Sequence, residues 1–397
     1  MLQQRLKGAL LSFARDRSLH SALFAFALSR GLIFSLFILS AHLTVFQPDP
    51  QVEFYNGRIS VRHVAFARII DQTVSVADTV WYAGIARDGY ERLPFADDRL
   101  HNWAFFPLYP LLIGYVSRLT GDIELTGVAL SNAFFLVALV LLFRTARAFG
   151  FDDADARRTV FYVAAFPLSY FFSVPMTESL FLMLTVGSFY AAKRERWLLA
   201  GLLGAFASAT RVTGVLLLPA LAVLYWETYR SFRPRLNFLP LLLIPSGLLC
   251  FMYFLYKTTG NALAFRDNIA GAWGRRPQFF LKTLFGYLSE PLLIVEPWDF
   301  RLLNFLGAAG ALAGGVVLLR WRQWSLAAYV FAASFIALSN VKLASQGRYS
   351  MVLFPAFIVL AVAGRNTHVD NALRTAMLIL LTLMTILYAR HFDFALA

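Results

Sequence analysis

Residues Ser21–Phe46 read SALFAFALSRGLIFSLFILSAHLTVF, an apolar run interrupted by one arginine, Arg30, and one histidine, His42. A helix needs roughly 20 such residues to cross a hydrocarbon core of about 30 Å, so this run predicts a transmembrane span. The rest of the chain repeats the pattern. Of its 397 residues, 59% are hydrophobic and 15% charged, whereas a soluble domain carries about 25% charged residues. Soluble-enzyme, disordered and secreted disulfide-scaffold classes are thereby excluded. The sole cysteine, Cys250, sits among apolar residues and cannot close an intramolecular disulfide. The expected fold class is an all-α polytopic membrane protein forming a single integral membrane domain over residues 1–397.

Working outward, the next apolar segments are Ala104–Ser117, Leu125–Phe143, Thr159–Val174, Ser179–Ala192, Trp197–Trp226, Phe238–Tyr256, Leu302–Leu319, Trp324–Asn340, Tyr349–Ala363 and Thr375–Ala389. They predict about ten to twelve transmembrane helices. Trp197–Trp226 is long for one helix and carries Arg211 at its centre, so two short helices turning at Arg211–Gly214 are expected. Lys+Arg number 36 against 23 Asp+Glu. Most basic residues lie in short links between apolar runs, which is the bias of cytoplasmic loops and not a nucleic-acid footprint. The N-terminal tail, Arg230–Arg235, Arg320–Arg322 and Arg365–Arg374 read as cytoplasmic. Gln47–Trp103 and Lys257–Phe300 then form two outer loops. The first basic cluster precedes a long apolar run without a small-residue cleavage site, so it reads as a tail before a retained helix. One link resists this order. If both Ala104–Ser117 and Leu125–Phe143 span, Arg144, Arg147, Arg157 and Arg158 land outside. Either one segment is re-entrant, or Asp152, Asp153 and Asp155 blunt the rule.

The first outer loop holds Asp49, Glu53, Asp71, Asp78, Asp88, Glu91, Asp97 and Asp98, eight of the 23 acidic residues, and long loops tend to carry function. Asn56-Gly57, flanked by Val52–Tyr55 and Arg58–Val61, signals a small β-hairpin. Further on, Asp78 is placed to N-cap a short helix that Gly89 stops, with Trp81, Tyr82, Ile85 and Ala86 on one face. Such an amphipathic helix is expected at the membrane interface, aromatic side down. Two prolines and an aromatic cluster, Asn102–Pro110, then lead into the next segment.

The run Asp78-x-x-Trp81-Tyr82…Ile85-Ala86…Gly89-Tyr90, followed by Ala104-Phe105-Phe106-Pro107-Leu108-Tyr109-Pro110, resembles the PIG-V family of mannosyltransferases, glycosyltransferase family 76, including its bacterial relatives. Further similar motifs follow in family order: Phe172–Phe181, Ala209–Gly214, Trp273-Gly274-Arg275, and Gln346-Gly347-Arg348-Tyr349 before Phe354-Pro355. The chain departs from the eukaryotic members at Ala77, where they tend to carry Trp, and at Met176, where they favour an aromatic residue. The resemblance implies a GT-C glycosyltransferase that takes a sugar from a polyprenyl-phosphate carrier on the outer leaflet, with an aspartate of the first outer loop acting on the acceptor. Only five basic residues are Lys and the other 31 are Arg; arginine codons are GC-rich, and a bacterial host with the active site facing the periplasm or exterior is expected.

The chemistry of glycosyl transfer assigns the candidate roles. The acceptor hydroxyl must lose a proton as it attacks the anomeric carbon, and Asp78 is the candidate base, ahead of Asp97 and Asp98. The leaving phosphate needs cations; Arg348 and Lys342 break the positive-inside trend, and Arg211 lies inside an apolar run, where ionisable groups are expensive and usually functional. For Arg30, also inside an apolar run, a structural role is expected. Either arginine could pair with Glu178, which otherwise sits in a helix first turn. Trp81, Tyr82, Glu178, Trp273, Arg275 and Tyr349 are the candidate substrate contacts. In an inverting displacement the base and the leaving group take opposite faces of the sugar, so the carboxylate and the cations are expected to lie apart. His63 and His101 show no ligand spacing with nearby acids, so no metal and no cofactor are expected. The partners implied are a polyprenyl-phosphate-linked sugar, a lipid or glycan acceptor and membrane lipids, with no nucleic acid. A lipid-carrier flippase is the alternative, but it is expected to show internal repeats with paired broken helices, and none is evident.

Overall fold

The computed structural model describes residues 16–44, 73–231, 235–272, 274–290, 301–341 and 345–396. The expected hairpin, His63, Trp273 and Lys342 lie outside them. The helices are α1 (Arg17–Thr44), α2 (Asp78–Asp88), α3 (Leu108–Thr120), α4 (Ile123–Ala148), α5 (Asp153–Ala164), α6 (Glu178–Lys193), α7 (Trp197–Thr210), α8 (Leu217–Tyr229), α9 (Ser246–Thr259), α10 (Ala264–Gly271), α11 (Phe280–Ser289), α12 (Arg301–Arg320), α13 (Trp324–Leu338), α14 (Gln346–Ser350), α15 (Phe354–Ala363), α16 (Thr367–Ala389) and α17 (Asp393–Leu396). The apolar runs resolve into six helical stretches long and apolar enough to cross a membrane: Arg17–Ala41, Ile123–Ala148, Val212–Tyr229, Leu236–Thr259, Arg301–Arg320 and Thr367–Ala389. Three shorter apolar helices, α7, α13 and α15, pack among them. The protein is an all-α, multi-pass integral membrane protein.

The basic links gather at one end of the bundle, the proximal end. Arg144 Nη2 lies 2.6 Å from Asp16 Oδ2, and Arg17 pairs with Asp153 beside Arg147. Arg365 and Arg158 both reach the fully buried Asp155. Glu227 accepts from Ser325 Oγ at 2.6 Å, and Gln323 donates to the Phe149 carbonyl. These contacts place the C-terminal end of α4 beside the N-terminal end of α1, which settles the conflict in the charge pattern. Helix α3 runs back along only the first turns of α4: Tyr109 Oη donates to the Gly127 carbonyl at 3.1 Å, and the Thr120 hydroxyl meets Thr126. That overlap is about 12 Å of helix, and of the two segments only α4 is long and apolar enough to cross a membrane. Arg144, Arg147, Arg157 and Arg158 therefore sit on the same end as Asp16 and Arg17.

Helices α6 and α7 form an antiparallel hairpin that returns the chain to the distal end. The Ser188 hydroxyl donates to the Ala200 carbonyl across it. At its top the long apolar run breaks where expected: Arg211 is extended (φ −154°, ψ 146°), and a 3₁₀ turn, Val212–Leu216, leads into α8. Gly214 makes the break possible, because a Cβ there would run into the backbone of Ala207 and Ser208. Gly214→Ala should therefore push the 3₁₀ turn off α7, cost about 1–3 kcal/mol and lower the melting temperature in detergent. Gly31→Ala, whose added carbon meets nothing within 4 Å, should leave that temperature unchanged or raise it.

Candidate active site

The distal end is organised around Glu178, the first residue of α6. A carboxylate in a helix first turn complements the dipole, but Glu178 is only 1% exposed, and a buried charge requires a partner. It has two. Arg211 Nη1 lies 2.6 Å from Glu178 Oε1, and Arg348 Nε lies 3.2 Å from the same oxygen. Arg211 also donates to the Thr177 hydroxyl at 3.1 Å and lies over the Tyr349 ring. Arg348 comes from the short α14, which is anchored by the Gln346 N–H donating to Asn304 Oδ1 of α12. Its other face reaches Asp78, with Nη2 at 2.6 Å from Oδ2. A continuous chain of charge results: Asp78, Arg348, Glu178, Arg211.

Burial works against the Arg348 cation, but the Asp78 and Glu178 carboxylates outweigh it and raise its pKa, so it stays protonated. Burial pushes the Tyr349 phenol up; the surrounding Arg275, Arg348 and Arg211 guanidiniums outweigh that and hold it below its ordinary value. Arg275 donates to Tyr349 Oη at 2.7 Å. It is brought there by a stretch of paired backbone: the Val341 N–H donates to the Arg276 carbonyl and the Gln278 N–H to the Ser339 carbonyl. Burial raises the Tyr82 pKa, and its hydroxyl bonds Thr177. Asp78, Glu178, Arg211, Arg275, Arg348, Tyr349 and Tyr82 thus converge from five separate elements.

Three expectations need correction. Asp78 does not cap α2. Ala77 occupies that position with φ 52° and no side-chain cap bond, the Val76 N–H is taken by the Thr79 hydroxyl, and the Asp78 carboxylate goes to Arg348 instead. Gly89 does end the helix, with φ 79° and its N–H on the Ile85 carbonyl. The aromatic side of α2 does not face the membrane. Trp81 stacks on Phe105 at 5.5 Å between centroids, and Tyr82 packs edge-on against Phe105 and Tyr109. Helix α3 lies beneath it, and Gly114 lets the Ala86 carbonyl approach within contact distance. Finally, carboxylate and cations are not apart but in direct contact.

Arg30 takes the structural role expected of it. Its guanidinium donates to the Ser169 carbonyl, Ser169 Oγ and Ser173 Oγ and lies over Phe135; among the described residues it pairs with no acid. His101 is buried, stacked on Trp103 and paired with Glu91. Sequence reading missed Thr177 and Phe171, whose ring lies under Arg348; their only signal was membership of the Phe172–Phe181 neighbourhood. Replacing Glu178 with Ala removes the carboxylate that Arg211 pairs with and leaves Arg348 to Asp78 alone. It should destabilise the protein by about 3–5 kcal/mol, read as a large drop in thermal unfolding temperature, while Gln should cost less by keeping the volume and the amide acceptor.

With the geometry in place, comparisons with known proteins can be set beside it. The profile of the family described as Mannosyltransferase (PIG-V) matches residues 21–261, a span that holds Asp78, Glu178 and Arg211 but ends before Arg275 and Arg348. No curated protein matches the chain in sequence. Among solved structures, ArnT from Cupriavidus metallidurans bound to undecaprenyl phosphate aligns with a TM-score of 0.49 and 16% identity, over 83% of this chain and 72% of that one. The Archaeoglobus fulgidus oligosaccharyltransferase in the apo form aligns with a TM-score of 0.41 and 13% identity, over 93% of this chain. The same archaeal protein in complex with an inhibitory peptide and a dolichol-phosphate gives 0.41 and 12%, over 92% of this chain. The chain spans 55% of the length of that oligosaccharyltransferase. The family match extends over more than half of the chain: the protein belongs to the PIG-V mannosyltransferase family.

Proposed function

We propose that the protein moves mannose from polyprenyl-phosphate-mannose to a lipid-linked or cell-envelope acceptor, on the outer face of a bacterial inner membrane, by a single inverting displacement with Asp78 as base. The observation that carries this reading is the 2.6 Å contact between Asp78 and Arg348. It couples the carboxylate suited to the acceptor to the cation suited to the leaving group. Counting the cluster, three guanidiniums (Arg211, Arg275, Arg348) face two carboxylates (Asp78, Glu178), an excess of one positive charge. A carrier-sugar phosphodiester carries one negative charge and neutralises that excess.

The geometry suggests an exchange. Arg348 is shared between Asp78 and Glu178, and a phosphate oxygen competes with Asp78 for it through a planar, charge-assisted fork. When the phosphate takes that place, Asp78 is released at the rim, where its side chain is already one-fifth exposed, toward an incoming hydroxyl. The acceptor O–H proton passes to Asp78, the acceptor oxygen bonds the anomeric carbon, and the bond from that carbon to the phosphate oxygen breaks. The departing phosphate gains a second negative charge, which Arg348 and Arg275 stabilise without the need for an acid. Glu178 stays buried and holds both arginines in place. Trp81, Tyr82 and Tyr349 surround the sugar. The exposed stripe Leu111, Tyr115 and Leu119 on α3 gives the isoprenoid tail an apolar side to lie along.

Two substitutions separate the roles. Asp78→Asn should lower transfer from radiolabelled polyprenyl-phosphate-mannose by about 10²–10⁴-fold, while carrier binding is kept or tightened because Arg348 loses a competitor. Arg348→Gln should abolish carrier binding itself. Near-normal transfer by Asp78→Asn would sink the assignment of the base.

A further inference from the structure

At the proximal end, about 22 Å along α6 from Glu178, the structure forms a second charged site that glycosyl transfer does not use. Arg17 of α1, Arg144 and Arg147 of α4, and Lys193 and Arg194 at the end of α6 line one open cleft of about 650 Å³ together with Asp16. Cations at the last turns of α4 and α6 complement helix dipoles, and links at this end are basic throughout. The cleft differs from those links in how its charge is balanced. Arg158 and Arg365 are matched by Asp155 and Asp152, and Arg374 by Asp370. In the cleft, five cations converge on two carboxylates, Asp16 and Asp153, which are already held by Arg144, Arg17 and Arg147. The Ser18 hydroxyl and the Arg144 guanidinium hold the Asp16 pKa down to about 2, so protonation does not alter this count near neutral pH. Among the described residues, Lys193 and Arg194 have no acidic partner; each only overlies a ring, Phe149 and Tyr190 respectively.

We infer that this cleft binds the phosphate of an anionic phospholipid. Two helix faces argue for a lipid over a free anion. On α1, Arg17 continues at i+7 and i+11 into Phe24 and Leu28, both exposed; on α4, Arg144 continues at i−7 into the exposed Val137. Because α1 and α4 run antiparallel with Arg17 and Arg144 at the same end, these apolar side chains rise together from the cations into the membrane zone. A headgroup phosphate meets Arg17, Arg144, Lys193 and Arg194, and its acyl chains lie along Phe24, Leu28 and Val137. The arrangement is the membrane-surface pairing of a basic pocket with an anionic headgroup.

The test uses the full-length protein in detergent, titrated with dioleoyl-phosphatidylglycerol, dioleoyl-phosphatidylcholine or inorganic phosphate and followed by native mass spectrometry. Wild type should bind phosphatidylglycerol saturably and phosphatidylcholine far more weakly, and excess inorganic phosphate should not displace the lipid. Lys193→Gln/Arg194→Gln should weaken phosphatidylglycerol binding by roughly thirtyfold. Arg194→Gln alone, at an exposed position, should weaken it by about fivefold and serves if the double variant fails to fold. Equal binding of the two lipids, wild-type binding by the variants, or displacement by inorganic phosphate would each overturn the inference.

Discussion

The buried carboxylate of Glu178 is the constraint on which the distal end depends. Placing an ion in a protein interior inside a membrane costs several kcal/mol unless partners replace its water. Glu178 meets that cost with two arginines on one oxygen, and each arginine dictates local backbone. Arg211 reaches Glu178 only because the chain stops being helical at that residue and turns through Val212–Leu216. Arg348 reaches it only because α14 is a short helix docked on Asn304, not the start of a long span. The stretches that supply the site are therefore short or broken, while those that bear no site residue include α1, α4, α12 and α16, each long and apolar enough to cross a membrane.

The same electrostatic logic separates three kinds of arginine in one chain. Arg30 has no acidic partner among the described residues, and its two terminal nitrogens donate to hydroxyls and carbonyls, which fixes α1 against Ser169 and Ser173. Arg158 and Arg365 are neutralised by Asp155 and Asp152 and tie the proximal links together. Arg211 and Arg348 share a single buried carboxylate, and Arg348 alone spans two acids from distant parts of the chain. A guanidinium held between two carboxylates is poised for exchange: a competing anion has to displace only one of them.

Much of this was legible in the sequence. An apolar run too long for one helix, with Arg211 in its middle, can only break there, and Gly89 had to end α2. The cluster members were individually recognisable from their types and positions. What could not be read were distances between segments far apart in the chain. A first-turn aspartate serves equally well as a cap for its own helix or as a partner for a remote guanidinium, and nothing near Asp78 chooses between them; the choice is made by Arg348, 270 positions later. Likewise the apolar content of Ala104–Ser117 does not say how far the segment runs along its neighbour, which is set by Tyr109 meeting Gly127 and Ser131. The expectation that base and cations lie apart came from the geometry of the reacting complex, whereas the ion pair belongs to the protein alone.

The account stands or falls on whether Arg348 changes partner. A cryo-EM structure of the protein with a non-transferable polyprenyl-phosphate-mannose analogue measures this directly. The account predicts the phosphate on Arg348, with Asp78 out of ion-pair contact and turned toward the acceptor side, and Glu178 still bridging Arg211 and Arg348. A phosphate bound elsewhere while the Asp78–Arg348 pair stays closed would contradict it.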